Sequence, residues 1–94
     1  MRLEWLPLAL ADFEKIIDFI AQDDPWAAIA QGDEIESQVT LLQDNHLMGR
    51  PGRVRGTREL VVVRTAYIVA YRIKGNHIQI LRVLHGSQSW PNNL

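Results

Sequence analysis

The sequence contains no cysteine, which excludes disulfides, thiolate metal sites and thiol nucleophiles. No apolar run approaches the roughly 20 residues needed to cross a bilayer. Residues 1–10 carry early charges and lack the pattern of a cleavable signal. The histidines, His46, His77 and His85, show no metal-ligand spacing. These absences predict a cytoplasmic protein with no membrane segment, no metal and no cofactor.

The first half of the chain has few basic residues, and the second half has few acidic ones. Residues 1–48 hold ten acids and two bases, a net charge of −8. Residues 49–94 hold eight bases and one acid, a net charge of +7, and seven of those bases are arginine. Arginine's rigid donor fork suits carboxylates and phosphates. The asymmetry favours a surface for a charged macromolecule, with two solvated faces on an ordinary domain as the alternative.

The first half of the chain predicts a strand followed by two helices. Residues 1–6 have the pattern of a short strand, and Pro7 suits the first turn of a helix. Asp24 and Pro25 form a second helix start, a capping acid followed by proline, and this helix fades near 44–45. Small residues at positions 28 and 32 would allow the two helices to approach closely. The pattern predicts an αα-hairpin.

In the second half, the apolar period changes from helical spacing to alternation. Three runs, 60–63, 67–73 and 77–84, are separated by connections short enough for hairpins. They predict a three-stranded antiparallel meander. With 94 residues, 47% of them apolar, the chain predicts one domain, 1–94. Its fold class is α+β: an N-terminal strand, an αα-hairpin and the meander, with the helices packed on one face of the sheet.

Several residues are candidates for chemistry or binding. Arg82 lies within an apolar strand and needs a partner, because a buried unpaired charge is costly. Glu59, the only late acid, is the favoured partner in a structural ion pair, and a binding role is the alternative. His85 ends the last strand near Ser87 and could act as a general base or have a local structural role. Trp90 is interpreted as a lid folded back on the sheet, or else as a binding anchor.

Four segments of the second half carry a family resemblance: Gly52–Val62, Tyr67–Ile73, Ile78–His85 and Trp90–Pro91. Together they resemble the ParE/RelE family of toxins from bacterial type II toxin–antitoxin modules, and within it the ParE branch most closely. The order strand, two helices and sheet agrees over essentially the whole chain.

The resemblance implies two alternative mechanisms. RelE-like members cleave messenger RNA on the ribosome, using basic residues on the sheet to stabilise charge. In this chain three of those basic positions are occupied by Glu59, Val61 and Ile68, and the fourth falls on or near Ser87. None of these four side chains is basic. A ribosome-dependent endoribonuclease would therefore have to use Arg58, Arg82 and His85 instead.

ParE-like members inhibit DNA gyrase by binding it and are not nucleases. The resemblance thus implies a non-catalytic toxin of a plasmid-stabilisation module, a gyrase inhibitor that a cognate antitoxin neutralises by wrapping it with an acidic segment. It implies no sequence-specific nucleic-acid binding by the toxin alone. A degenerate member that only binds its antitoxin is a further alternative.

Residues 86–89 depart from the ParE pattern, in which bases often follow the final histidine. The residues expected to contact antitoxin or target are Arg50, Arg53, Arg55, Arg58, Arg64, Arg82 and Trp90.

Overall fold

The computed structural model describes all 94 residues and arranges them around one five-stranded sheet. Its elements are β1 (Arg2–Trp5), α1 (Pro7–Asp23), α2 (Pro25–Thr40), a 3₁₀ helix (Leu41–Gln43), β2 (Arg50–Pro51), β3 (Arg58–Val61), β4 (Tyr67–Lys74) and β5 (His77–His85). The N-terminal strand, the αα-hairpin and the meander of β3, β4 and β5 confirm the predicted α+β fold. The two-residue β2 was not predicted, and it lies between the second predicted helix and the first of the three predicted strands.

Local sequence signals set the ends of the helices. Pro7 occupies the first turn of α1, where its missing N–H leaves no hydrogen bond unmade. The Asp24 carboxylate accepts hydrogen bonds from the backbone N–H groups of Trp26 and Ala27, both at 3.1 Å, which confirms the predicted start of α2. The helical run closes with the 3₁₀ helix, next to the end predicted at 44–45. Neither helix is long and apolar enough to span a membrane.

The strand order β1-β5-β4-β3-β2 places the first strand of the chain beside the last. β1 runs parallel to β5, with Arg2 opposite His77 and Trp5 opposite Ile80. Parallel neighbours cannot be joined by a hairpin. Here the αα-hairpin carries the chain across one face of the sheet from β1 to β2 at the opposite edge, and the following strands return to β5. The sequence predicts the strand but not this pairing.

The main core lies between the helices and one face of the sheet. Tyr67, Val69 and Tyr71 alternate along β4 and are buried in this core, as the period of two predicts. The helices pack tightly where α2 carries Gly32. A Cβ added there would lie 2.9 Å from the Cδ1 of Ile17 on α1. The predicted close approach of the two helices is therefore confirmed.

The opposite face of the sheet carries a smaller apolar layer beneath the C-terminal tail, residues 86–94. Ile68 and Leu84 belong to this face and are 8% and 2% exposed. The tail folds back over the sheet, and its Pro91 and Leu94 line one hollow together with residues of β5. The sheet is thus covered on both faces, by helices on one side and by an irregular segment on the other.

Candidate functional site

Most of the late arginines are held by other groups of the same chain. Four of the seven form ion pairs with carboxylates. Two more donate hydrogen bonds, one to backbone carbonyls and one to a side-chain amide. Arg55 alone is exposed with neither kind of contact. Charges that are segregated along the sequence are therefore largely paired in the fold.

Glu59 is the centre of one such cluster, on β3. Its side chain is only 3% exposed, and its carboxylate accepts hydrogen bonds from Arg50 Nη2 at 3.1 Å and from Arg53 Nε and Nη2 at 3.1 and 3.2 Å. The backbone N–H of Arg53 donates a further bond at 2.8 Å. Burial acts to raise the pKa of Glu59, but the bonds from Arg53 and Arg50 together outweigh it and lower that pKa. Glu59 is a buried, ionised anchor for the segment that precedes β3.

The predicted pairing of Arg82 with Glu59 is wrong, because Arg82 binds an acid from the first half of the chain. Arg82 Nε and Nη2 donate to the Asp12 carboxylate at 2.7 and 3.0 Å, and the backbone N–H of Val83 donates to it at 3.0 Å. Its hydrogen bonds to the Asp12 carboxylate chiefly raise the pKa of Arg82. α1 packs along β5, so an acid 70 residues away in sequence lies nearer than the late one. The expectation of a structural ion pair holds, with a different partner.

Arg58 holds the segment before β2 in place. Its Nε and Nη2 donate to the carbonyl oxygen of Gly49 at 3.0 and 2.6 Å, and Nη2 also donates to the carbonyl oxygen of Leu47 at 3.1 Å. The buried hydroxyl of Tyr71 donates to the His46 carbonyl at 2.8 Å and accepts from the Gly49 N–H at 2.9 Å. Arg58 therefore directs its donors at the protein's own backbone.

Arg64 lies in the turn between β3 and β4, where its φ of 66° is in the left-handed region. Its guanidinium donates two hydrogen bonds to the Glu34 carboxylate on α2, at 2.8 and 2.9 Å. These bonds chiefly lower the pKa of Glu34 and raise that of Arg64. The Arg64 side chain is 67% exposed, so water screens this pair strongly.

Trp90 connects the C-terminal tail to the same arginine cluster. The Arg53 guanidinium lies 3.7 Å from the centre of the Trp90 ring, which is cation–π geometry. The indole Nε1 of Trp90 is buried and has no hydrogen-bond partner. Arg53 thus joins Glu59 on β3 to the tail that covers the second face of the sheet.

His85 has only local partners. Its Nδ1 accepts a hydrogen bond from the Ser87 N–H at 3.1 Å and lies 2.7 Å from the Ser87 hydroxyl oxygen. The Tyr67 ring meets the imidazole edge-on at a centroid distance of 5.5 Å, and burial raises the pKa of Tyr67. Both arginines that a nuclease would need beside His85, Arg58 and Arg82, are bound elsewhere. The structure brings together no unpaired cationic set around this histidine.

An open groove runs along the outer edge of β3, and the sequence did not reveal it. Its volume is about 510 Å³, within the range of roughly 300–1,000 Å³ that is typical of binding clefts. It lies between the end of α2 and the edge of the sheet. The residues that line it are Gln38, Leu41, Met48, Gly49, Arg50, Glu59, Leu60, Val61, Val63 and Arg64. The only sequence signal for it is the run Val61–Val63, because a strand with one solvated face would alternate with polar residues.

Comparison with known families identifies the chain. The family model described as "ParE toxin of type II toxin-antitoxin system, parDE" matches residues 3–90. The chain belongs to the ParE toxin family. It is 40% identical to "Putative toxin Y4kP" of Sinorhizobium fredii over 93 residues, which cover 99% of this chain and 96% of that protein.

Two further relatives bear on this family assignment. A solved structure of the "Chromosomal ParDE TA system from P. aeruginosa" superposes with a TM-score of 0.81 at 36% identity, covering 90% of this chain and 95% of that one. "Toxin RelE1" of Caulobacter vibrioides is 30% identical over 80 residues, which cover 83% of this chain and 85% of that protein. The similarity therefore extends over both halves of the ParE fold and does not depend on the arginine-rich residues 50–58 alone.

Membership of the ParE family makes the chain a toxin of the type II toxin–antitoxin class. The structure also shows the surroundings of Glu59 and Val61, which occupy two positions that are basic in the RelE-like pattern. Glu59 is buried and forms ion pairs with Arg50 and Arg53, and Val61 lies at the sheet edge and is 46% exposed. Neither position offers a cation to a phosphate.

Proposed function

We propose that this ParE-family toxin inhibits DNA gyrase by binding it, without catalysing a reaction, and that a cognate antitoxin neutralises it. The proposal places the protein in the cytoplasm, where gyrase works. The contacts of the late arginines carry the proposal. A ribonuclease must present unpaired donors to the charge that develops on a phosphate. Arg58 is bound by backbone carbonyls and Arg82 by Asp12, so neither is aimed at an incoming RNA.

Binding, in contrast, needs only exposed groups, and these are present. The side chains of Arg50, Arg53 and Arg64 are 54%, 44% and 67% exposed although they are paired, and each guanidinium has five N–H donors. Together with Arg55 they supply the contacts that we propose for antitoxin or target. Arg58, Arg82 and Trp90 support that surface from within the fold.

A supercoiling assay tests the target. Purified toxin, freed of antitoxin by denaturation and refolding, is added to gyrase and relaxed plasmid. We expect supercoiling to be lost and linear DNA from trapped cleavage to accumulate, and we expect added antitoxin to restore supercoiling. Refolded toxin with native circular dichroism that binds antitoxin but leaves gyrase fully active would refute the proposed target.

The 30% identity to Toxin RelE1 justifies a second assay for messenger RNA cleavage. Primer extension on a translated message should show no toxin-dependent ends. Cleavage that vanishes in His85→Ala would establish the ribonuclease alternative. Because this change also removes the ring contact with Tyr67, native circular dichroism of the variant is the control for its fold. If induction without antitoxin is harmless in the source host and both assays are negative, the chain is a member that binds only its antitoxin.

A further inference from the structure

The outer edge of β3 is covered by β2 as far as Glu59 and is open beyond it. β3 bonds to β4 through Leu60 and Val62, as the Val62 N–H to Tyr67 carbonyl bond shows. In an antiparallel pair, every second residue directs its N–H and C=O groups away from the neighbouring strand. Val61 and Val63 therefore direct their backbone groups outward. β2 does not reach them, because its first residue, Arg50, lies opposite Glu59.

The side chain of Gln38 already pairs with one backbone position of this edge, Val63. The Gln38 amide donates from Nε2 to the Val63 carbonyl at 3.0 Å, and its Oε1 accepts from the Val63 N–H at 2.9 Å. These are the two bonds that a neighbouring strand residue would make. The outward N–H and C=O of Val61 make no hydrogen bond within the chain. The edge thus has one residue capped by Gln38 and one left unpaired beside it.

The groove beside Val61 combines apolar walls with cationic ends. Leu41, Met48 and Val63 are 53%, 38% and 53% exposed, which is high for residues of this kind. Arg50 lies at the β2 end of the groove and Arg64 at the turn end. An extended peptide with alternate apolar side chains and flanking carboxylates matches this pattern, because backbone bonding at a sheet edge supplies affinity and side-chain pockets supply specificity.

Both cations can exchange partners at little cost. The pair of Arg64 with Glu34 is solvent-exposed, and such pairs contribute little to stability. Arg50 gives Glu59 only one of its four hydrogen bonds, and Arg53 gives the other three. Arg50 can therefore turn toward a partner while Glu59 stays satisfied.

We propose that the antitoxin adds an extended segment to the outer edge of β3, bonding to Val61 and placing carboxylates on Arg50 and Arg64. This inference rests on the proposed function only in taking an antitoxin as the partner. A second copy of this chain fits less well. Antiparallel pairing of two β3 edges about Val61 would bring Arg64 of one copy toward Arg50 of the other, and like charges would meet.

The test is a pair of substitutions at Val61 in the full-length toxin. Val61→Pro removes the outward N–H, and proline is tolerated at edge positions where that N–H faces solvent. Val61→Ala, the matched control, keeps the N–H and loses most of the side chain. The probe is the antitoxin of the same module, obtained by coexpressing the toxin with its neighbouring reading frames. We expect Val61→Pro to bind it about tenfold more weakly than Val61→Ala, because an acceptor of the antitoxin is left without a donor.

Hydrogen exchange on the unmodified complex keeps the proposal testable if Val61→Pro fails to fold. The Val61 amide should exchange at least about tenfold more slowly in the complex than in the free toxin, whereas the amide of Gly75, which is exposed in the turn between β4 and β5, should not change. Equal binding by the proline and alanine variants, or an unprotected Val61 amide in the complex, would overturn the proposal. So would protection of Val61 in toxin alone that rises with concentration, which would assign the edge to a second copy. The gyrase assay is independent of these outcomes.

Discussion

The contact between Asp12 and Arg82 allows a quantitative test of what joins the helices to the sheet. Asp12→Asn keeps the size of the side chain and removes its charge. The carboxylate accepts three hydrogen bonds, two from Arg82 and one from the Val83 N–H. A single amide oxygen cannot serve all three donors, and the new NH₂ group must face either the guanidinium or the backbone N–H.

The expected loss of unfolding free energy follows from the burial of the ion pair. The Asp12 and Arg82 side chains are 14% and 25% exposed, so the pair is neither fully buried nor screened as a surface pair would be. Breaking a buried pair costs about 3–5 kcal/mol, and partial hydration of the freed guanidinium favours the lower end. We expect the free energy of unfolding to fall by about 3 kcal/mol. For a domain of this size that lowers Tm by roughly 12–24 °C.

Urea and thermal unfolding, followed by circular dichroism, measure this change. Asp18→Asn is the matched control, because Asp18 lies on the same helix but is exposed, and we expect it to change stability by less than about 0.5 kcal/mol. A double-mutant cycle with Arg82→Met should give a coupling energy of at least about 1.5 kcal/mol. Equal effects of the two Asp→Asn variants, or additive effects in the cycle, would refute the reasoning.

Two further predictions concern the segment that precedes β3. The folded state lowers the pKa of Glu59 below its ordinary value of 4.5, so its contribution is present above that pH and is lost as pH falls through the lowered pKa. Glu59→Gln should therefore destabilise the protein by about 2 kcal/mol at pH 7, the range for hydrogen bonds to a charged group, because the half-exposed Arg50 and Arg53 stay hydrated when the charge is lost. It should also flatten the dependence of stability on pH below pH 4.5, as urea midpoints against pH would show; a profile as steep as that of the unmodified protein would contradict this. Gly49→Ala should cost about 1–3 kcal/mol, because its Cβ would lie 2.6 Å from the Tyr71 hydroxyl oxygen. The control is Gly86→Ala, where the nearest atom is 3.5 Å away and thermal unfolding should barely change.

Short-range patterns predicted the elements of this fold well. Asp24 and Pro25 located the start of α2, and the alternation from Tyr67 to Ile73 gave the core face of β4. Each of these signals depends on residues within one turn or a few strand positions of each other. The partner of β1 has no such signal, since its pairing joins residues 75 positions apart.

The charges illustrate why the site was harder to predict. The sequence divides into an acidic and a basic half, which suggested a cationic sheet open to a partner. In the fold, α1 and α2 lie against the sheet and bring Asp12 to Arg82 and Glu34 to Arg64. Only the arrangement of helices on the sheet reveals that these charges compensate each other.

The groove at β3 was missed for a related reason. Gln38 and Val63 are 25 residues apart, and nothing in either neighbourhood marks the glutamine as a cap on a sheet edge. The valine run gave a weak indication, since it predicts a strand without showing which of its edges lacks a neighbour.

The position of β1 beside β5 has a consequence for how the toxin comes into being. Residues 2–5 are synthesised more than 70 residues before their partners at 77–80. Contacts between such distant positions are slow to form, because the intervening chain must be ordered before they are made. The pairing of β1 can therefore form only after residues 77–80 have left the ribosome, and products truncated before them lack the strand that β1 pairs with.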